Sequence, residues 1–146
     1  MKKTLLCLAI AISCVAFESK SQTATPSSVA SSFSKAMVNL NIAEAEKYAD
    51  SVGVNTLKQI EPMVSQQSAA IPDSIKTLLT NATFTADSEK ITGDSAFVEI
   101  TMDLGKPING IQQQKQKVAL KKENNEWKVI INKFISGDNP DSNDEQ

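Results

Sequence analysis

Apolar residues recur at helical spacing in the first half of the chain and at alternate positions in the second. Val29, Phe33, Met37 and Leu40 lie four, four and three apart, one stripe along a helix. Ser27 or Ser28 is expected to cap it, with Pro26 just outside. Ile42, Ala45 and Tyr48 or Ala49 share one side of a second helix, and "ADSVGVN" reads as a break at Gly53. Leu57, Ile60 and Val64 set a third stripe within "TLKQIEPMVSQQ", where Pro62 predicts a kink or a restart. Pro72 opens a short fourth helix carrying Ile75, Leu78 and Leu79.

After Asn81 the period changes. "ATFTADSEKI" alternates weakly and "SAFVEITMDL" cleanly, with Ala96, Val98, Ile100, Met102 and Leu104 on one face and Phe97, Glu99, Thr101 and Asp103 on the other. A tight turn at Gly93 joins the two runs, and "GKPING" reads as a loop. "IQQQKQKVALKK" is a third strand with Val118 and Leu120 inward. The Asn124-Asn125 pair supplies the positive φ of a hairpin turn. "WKVIINKFI" reads as a fourth strand, apolar on both faces and so covered on both. Helices followed by a meander define an α+β fold: N-terminal helices packed on a curved antiparallel sheet of about four strands. Trp127, the only tryptophan, stands just past the last turn in period two with Val129 and Ile131, which predicts a core residue.

The start of the chain adds a destination. Met1-Lys2-Lys3, an apolar run from Thr4 to Phe17 and a small-residue exit form a secretory signal over residues 1–21, cut between Ser21 and Gln22. The alternative is a lipoprotein anchored at Cys14 through "AISC". Both cysteines, Cys7 and Cys14, fall in this segment, so the remaining chain has no disulfide, thiol nucleophile or thiolate metal site. The expected organisation is a linker at 22–28, one domain at 29–136 and a disordered acidic tail at 137–146, with no transmembrane segment in the mature chain. Without residues 1–21 the chain carries 12 lysines and 16 acids, four of the acids in the tail "GDNPDSNDEQ", so the domain is balanced. A balanced surface without arginine excludes nucleic-acid binding and the bidentate grip on phosphate.

Three stretches resemble a family. "FSKAMVNLNIAEAEKYAD", "GDSAFVEITM" and "KVALKKENNEWKVI" are similar to an exported lumazine-binding-like, DUF-type group within the nuclear transport factor 2-like superfamily of cystatin-like α+β cones. The match lies at Ala43–Tyr48, Gly93–Val98 and Val118–Val129, within a span of about Thr25 to Ile135. Asn124-Asn125 departs from the Asp-Gly or Asn-Gly usual there. The resemblance implies a helix-lidded, bent sheet with a cone-shaped cavity; it implies no single activity, since superfamily members are enzymes, binders and partner modules.

Enzymes of this superfamily commonly use Asp/His or Asp/Tyr/Asp arrangements in the cone. This chain has no histidine, which removes the usual base near neutral pH and excludes a Ser-His-Asp triad. Asp50, Asp73, Asp87, Glu99 and Asp103 remain, with Glu99 and Asp103 expected on a solvated face. No catalytic residue, metal site or cofactor is therefore assigned. Tyr48, Met102 and Trp127 are the candidates for the cavity wall, and Phe97, Ile130 and Phe134 for an interface. Asp-Ser-apolar triplets place Ser51, Ser74 and Ser95 in sequences resembling O-glycosylation sites of exported bacterial proteins, although caps and turns favour the same residues. The expected role is non-catalytic binding of a small apolar ligand or a protein partner. The alternatives are a homodimeric assembly module and, behind it, an isomerase or dehydratase.

Overall fold

The computed structural model describes residues 24–136. The signal segment, Cys14 and the acidic tail lie outside them. Four helices, α1 (Pro26–Val38), α2 (Ile42–Glu46), α3 (Ser51–Ala70) and α4 (Asp73–Asn81), precede strands β1 (Thr83–Thr92), β2 (Ser95–Ile108), β3 (Ile111–Glu123) and β4 (Glu126–Val129) and a last helix, α5 (Ile131–Ser136). The strands form one antiparallel sheet in the order β1-β2-β3-β4. This is the α+β architecture the period change predicts.

The first helix starts earlier than its apolar stripe suggests. Thr25 is the cap, its side chain accepting from the Ser28 amide at 3.2 Å, and Pro26 takes the first helical position, where its missing N–H costs nothing. The linker therefore ends before Ser27 and Ser28. The Ser27 amide instead donates to Glu89 of β1 at 2.9 Å. Phe33 is fully buried against the sheet side, worth about 1.5–3 kcal/mol relative to exposure. At the other end the Asn41 amide reaches back to the Ala36 carbonyl at 2.9 Å, with Leu40 between them in the left-handed region at φ 56°. This is a helix stop that glycine usually serves.

Gly53 is no break. Asp50 caps α3, accepting from the Gly53 amide at 2.9 Å, and the glycine is buried in the first turn. A Cβ there would lie 2.1 Å from Ile131 Cγ1, so the glycine lets α5 close onto α3. The helix also runs through Pro62, which is exposed, to Ala70. Leu57 is its one fully buried apolar side chain, and residues beyond Val64 lie mostly in solvent.

In the sheet, the alternation of β2 holds: Ala96, Val98, Ile100 and Leu104 are buried and Met102 half-buried. Strand β1 is weakly patterned because its register slips at Asp87 and its outer edge is unpaired by strand. The expected loop at 105–110 is mostly strand; Asn109 and Gly110, both at positive φ, make a two-residue turn. Asn124 and Asn125 do the same at φ 50° and 66°.

The fourth strand is shorter than predicted. It stops at Val129, and residues 131–136 are helical. Ile131 and Phe134 are spaced three apart, so a helix turns both inward: Ile131 is fully buried and Phe134 meets Phe33 edge-on, ring centroids 5.1 Å apart. The Ile130 amide bonds the Ala119 carbonyl at 2.9 Å, and α5 packs beside β3 where a longer β4 would have run. The free side of β4 is covered by residues 48–50: Asp50 donates to the Val129 carbonyl and the Val129 amide to the Tyr48 carbonyl.

Candidate functional site

The sequence candidates do not converge. Trp127 faces the helices with Val129 and is 9% exposed, part of the core cluster that includes Phe33, Val98, Ile100, Val118 and Leu120. Its remaining edge carries the Lys122 ammonium, 5.1 Å from the ring centroid. Met102 stands on the same face between Phe84 and Gln114, toward the far end of the sheet. Neither borders a cavity described below. The helix-facing side of the sheet near Trp127 is thus built of packed side chains.

Tyr48 does border a cavity, on the helical surface. An open cleft of about 500 Å³ lies where α1 ends and α2 begins. Helix α1 gives Ser32, Lys35 and Ala36; the turn gives Asn39 and Asn41; Glu44 and Tyr48 follow, and Thr80 closes it from α4. Each polar residue sits there for a local reason. Asn41 caps α2, accepting from the Glu44 amide at 3.1 Å, and the Asn39 side chain donates to the Lys35 carbonyl at 2.9 Å. Glu44 and Tyr48 are one helical turn apart, and the tyrosine hydroxyl donates to Glu44 Oε1 at 3.1 Å. Lys47 binds the other oxygen at 2.5 Å. The Lys47 ammonium beside it holds the Glu44 carboxyl below the usual carboxylate range, so it is an anion at neutral pH and no general acid. Among the described residues Lys35 makes no ion pair.

Beside this cleft, sharing Asn39 and Thr80, is a notch of about 150 Å³ lined by Val38, Leu40, Ile71 and Leu79, with Ser68 and Lys76 at its margin. Apart from Tyr48, none of these residues stands out as functional in the sequence, since asparagine at a cap and lysine in a last helical turn are ordinary choices.

The other carboxylates have structural partners. Asp50, 3% exposed, binds Lys121 at 3.0 Å, and Lys121 binds Glu123 at 3.1 Å. Glu123 accepts from the Ser51 amide and hydroxyl, each at 3.1 Å. Its carboxyl is held low by Lys121, and the Lys121 ammonium is raised by Asp50 and Glu123. The outer face of the sheet is a polar ladder: Asp87 to Thr101 and Lys115, Ser88 to Glu99, Gln113 to Asp103. Among the described residues the Asp73 carboxylate pairs with Lys76, at 3.8 Å. Ser51 and Ser74 lie in first helical turns, and Ser95 follows the turn at Gly93 and Asp94.

Of the interface candidates, Phe134 leaves the other two. Phe97 lies on the outer face, with Lys117 and Lys133 nitrogens 5.6 and 5.9 Å from its ring centroid. Phe134 is turned inward to Phe33, while Ile130 is half-buried beside Ala119, whose neighbour on the other side is Phe97. An extended strand would have put Ile130 and Phe134 on one face; the helix at 131 separates them.

No protein-family model and no curated protein matches the chain. A solved structure does. A protein described as "Putative NTF2-like transpeptidase", from Campylobacter jejuni, aligns over 73% of this chain and 98% of its own, with a TM-score of 0.52 and 18% identity. The chain has the nuclear transport factor 2-like fold, as the resemblance in its sequence implies. Among the described residues no helix is long and apolar enough to cross a membrane.

Proposed function

We propose that this chain is an exported, non-catalytic binding domain of the lumazine-binding-like kind, and that its ligand site is the cleft at the junction of α1 and α2. One observation carries the reading. Trp127 and the side chains around it fill the sheet's helix-facing side, while a cleft within the usual size range of ligand sites, about 300–1,000 Å³, lies beside Tyr48. Its groups suit holding rather than reacting. Glu44 is ionised and tied to Lys47 and Tyr48, and no histidine exists to activate the hydroxyls of Ser32 or Thr80. The transpeptidase name of the structural neighbour therefore finds no support in this cleft. Export rests on the N-terminal signal pattern.

The test is amide-resolved NMR of residues 22–146 against a panel of small acids, sugars and lipids. Binding that moves the amides of Asn39, Asn41 and Glu44 supports the reading. Ligands that move only residues around Trp127 would put the site in the cone instead, and turnover of a peptide or ester abolished by Ser32→Ala would replace binding by catalysis.

A further inference from the structure

We propose that the cleft and the notch beside it form one continuous site for an amphipathic anion, its short apolar chain against Leu40 and its anionic head beside Lys35. This rests on the binding-site reading above and adds the ligand's class. The two hollows meet at Asn39 and Thr80, which border both. Three consecutive residues divide the labour: Asn39 stands at the seam, Leu40 lines the notch and Asn41 lines the cleft. The notch is walled by Val38, Leu40, Ile71 and Leu79, all half-buried, and has room for a chain of a few carbons.

The head's sign follows from the charges. Two groups in the cleft are charged, and Glu44 is neutralised by Lys47 at 2.5 Å. Lys35 is exposed and makes no ion pair among the described residues, so the charge left to meet a ligand is positive. Lys76, at the notch margin, is held only by an exposed Asp73 at 3.8 Å.

Leu40 is the independent observation. It occupies the left-handed position that ends α1, at φ 56°, where a bulky side chain is strained and glycine is at ease. The turn needs no leucine; the notch does. A strained residue on the wall of a hollow is a sign of a position held for binding.

The experiment titrates the protein with octanoate, acetate and octyl glucoside, followed by amide and methyl NMR. Octanoate is expected to move the Asn39–Asn41 amides and the Leu40 and Leu79 methyls together, and to bind at least about tenfold more tightly than acetate, the effect of burying some two methylenes. Lys35→Gln should bring octanoate down to the level of octyl glucoside. Leu40→Gly should leave the melting temperature equal or higher and bring octanoate down to the level of acetate. If acetate moves the cleft amides as strongly as octanoate does, the continuous site is wrong and the cleft stands; if octyl glucoside binds the parent as tightly as octanoate does, the anionic head is wrong. If Leu40→Gly binds octanoate like the parent, the role of Leu40 is wrong. If no compound of the wider panel moves the cleft, both readings fall.

Discussion

Replacing Gly53 by alanine sets two effects against each other. Alanine gains about 0.8–1.0 kcal/mol over glycine in a helix interior, and Gly53 is helical, so propensity alone predicts a more stable protein. The packing predicts the reverse. The added carbon would lie 2.1 Å from Ile131 Cγ1, 2.8 Å from Ile131 Cβ and 2.6 Å from Asp50 Oδ1. Asp50 is engaged with the Gly53 amide and Lys121, and Ile131 is fully buried, so neither has space to retreat. Overpacking of this kind costs about 1–3 kcal/mol, and weakening the Asp50 cap adds about 1 kcal/mol. The expected net effect of Gly53→Ala is a loss of about 1–3 kcal/mol in urea unfolding, with α5 and the start of α3 losing amide protection first. A double-mutant cycle with Ile131→Ala locates the cause. In that background most of the penalty should disappear, leaving a coupling of at least about 1 kcal/mol. A Gly53→Ala protein as stable as its parent would refute the close approach of α5 to α3, and a penalty unchanged by Ile131→Ala would refute its attribution to that side chain.

Trp127→Ala should cost about 3–5 kcal/mol, as large aromatic deletions in cores do, and Trp127→Phe should recover much of it; an alanine variant as stable as the parent would return Trp127 to the ligand candidates. Glu123 has a lowered pKa, so its contribution is present above the ordinary carboxylate value of 4.5 and is lost as pH falls through the lower folded value. Lys121 is raised, so its contribution holds below its ordinary 10.5 and is lost as pH rises through the higher folded value. Glu123→Gln should therefore lower the melting temperature slightly at pH 7 and converge with the parent in acid, the effect kept small by partial exposure. With Phe134 turned inward and Phe97 and Ile130 both half-buried, light scattering should give the same mass for the parent and Phe97→Ser; a dimer that Phe97→Ser dissociates would show that the outer face assembles after all.

The architecture was legible because long stripes such as Val29-Phe33-Met37 and the alternation of β2 each fit one period only. The end of the chain was not. In "WKVIINKFI", Trp127, Val129 and Ile131 fit period two, while Ile131 and Phe134 fit a helix, and a run this short cannot separate the two. Gly53 misled for another reason: its lack of a side chain answers to Ile131, nearly eighty positions on, and local pattern holds no trace of that partner. The cleft was illegible because its parts are commonplace. Asn41 is a cap, Lys35 a last-turn cation and Glu44 half of a local ion pair, and only the fold shows that they face one hollow with Thr80 of α4.

The way the sheet ends bears on how copies of this chain could join. Residues 48–50 lie along β4 and α5 sits beside β3 near Ala119, so among the described residues the edges left to an incoming strand are β1 and the exposed start of β3, residues 111–115. A sheet with two open edges can take a copy at either one, so each edge has to be blunted. At β1 this is visible: the slip at Asp87 bends the edge and splits it into two short runs, and Glu89 and Lys90 leave charge along it, so addition of a strand there is discouraged without any covering element.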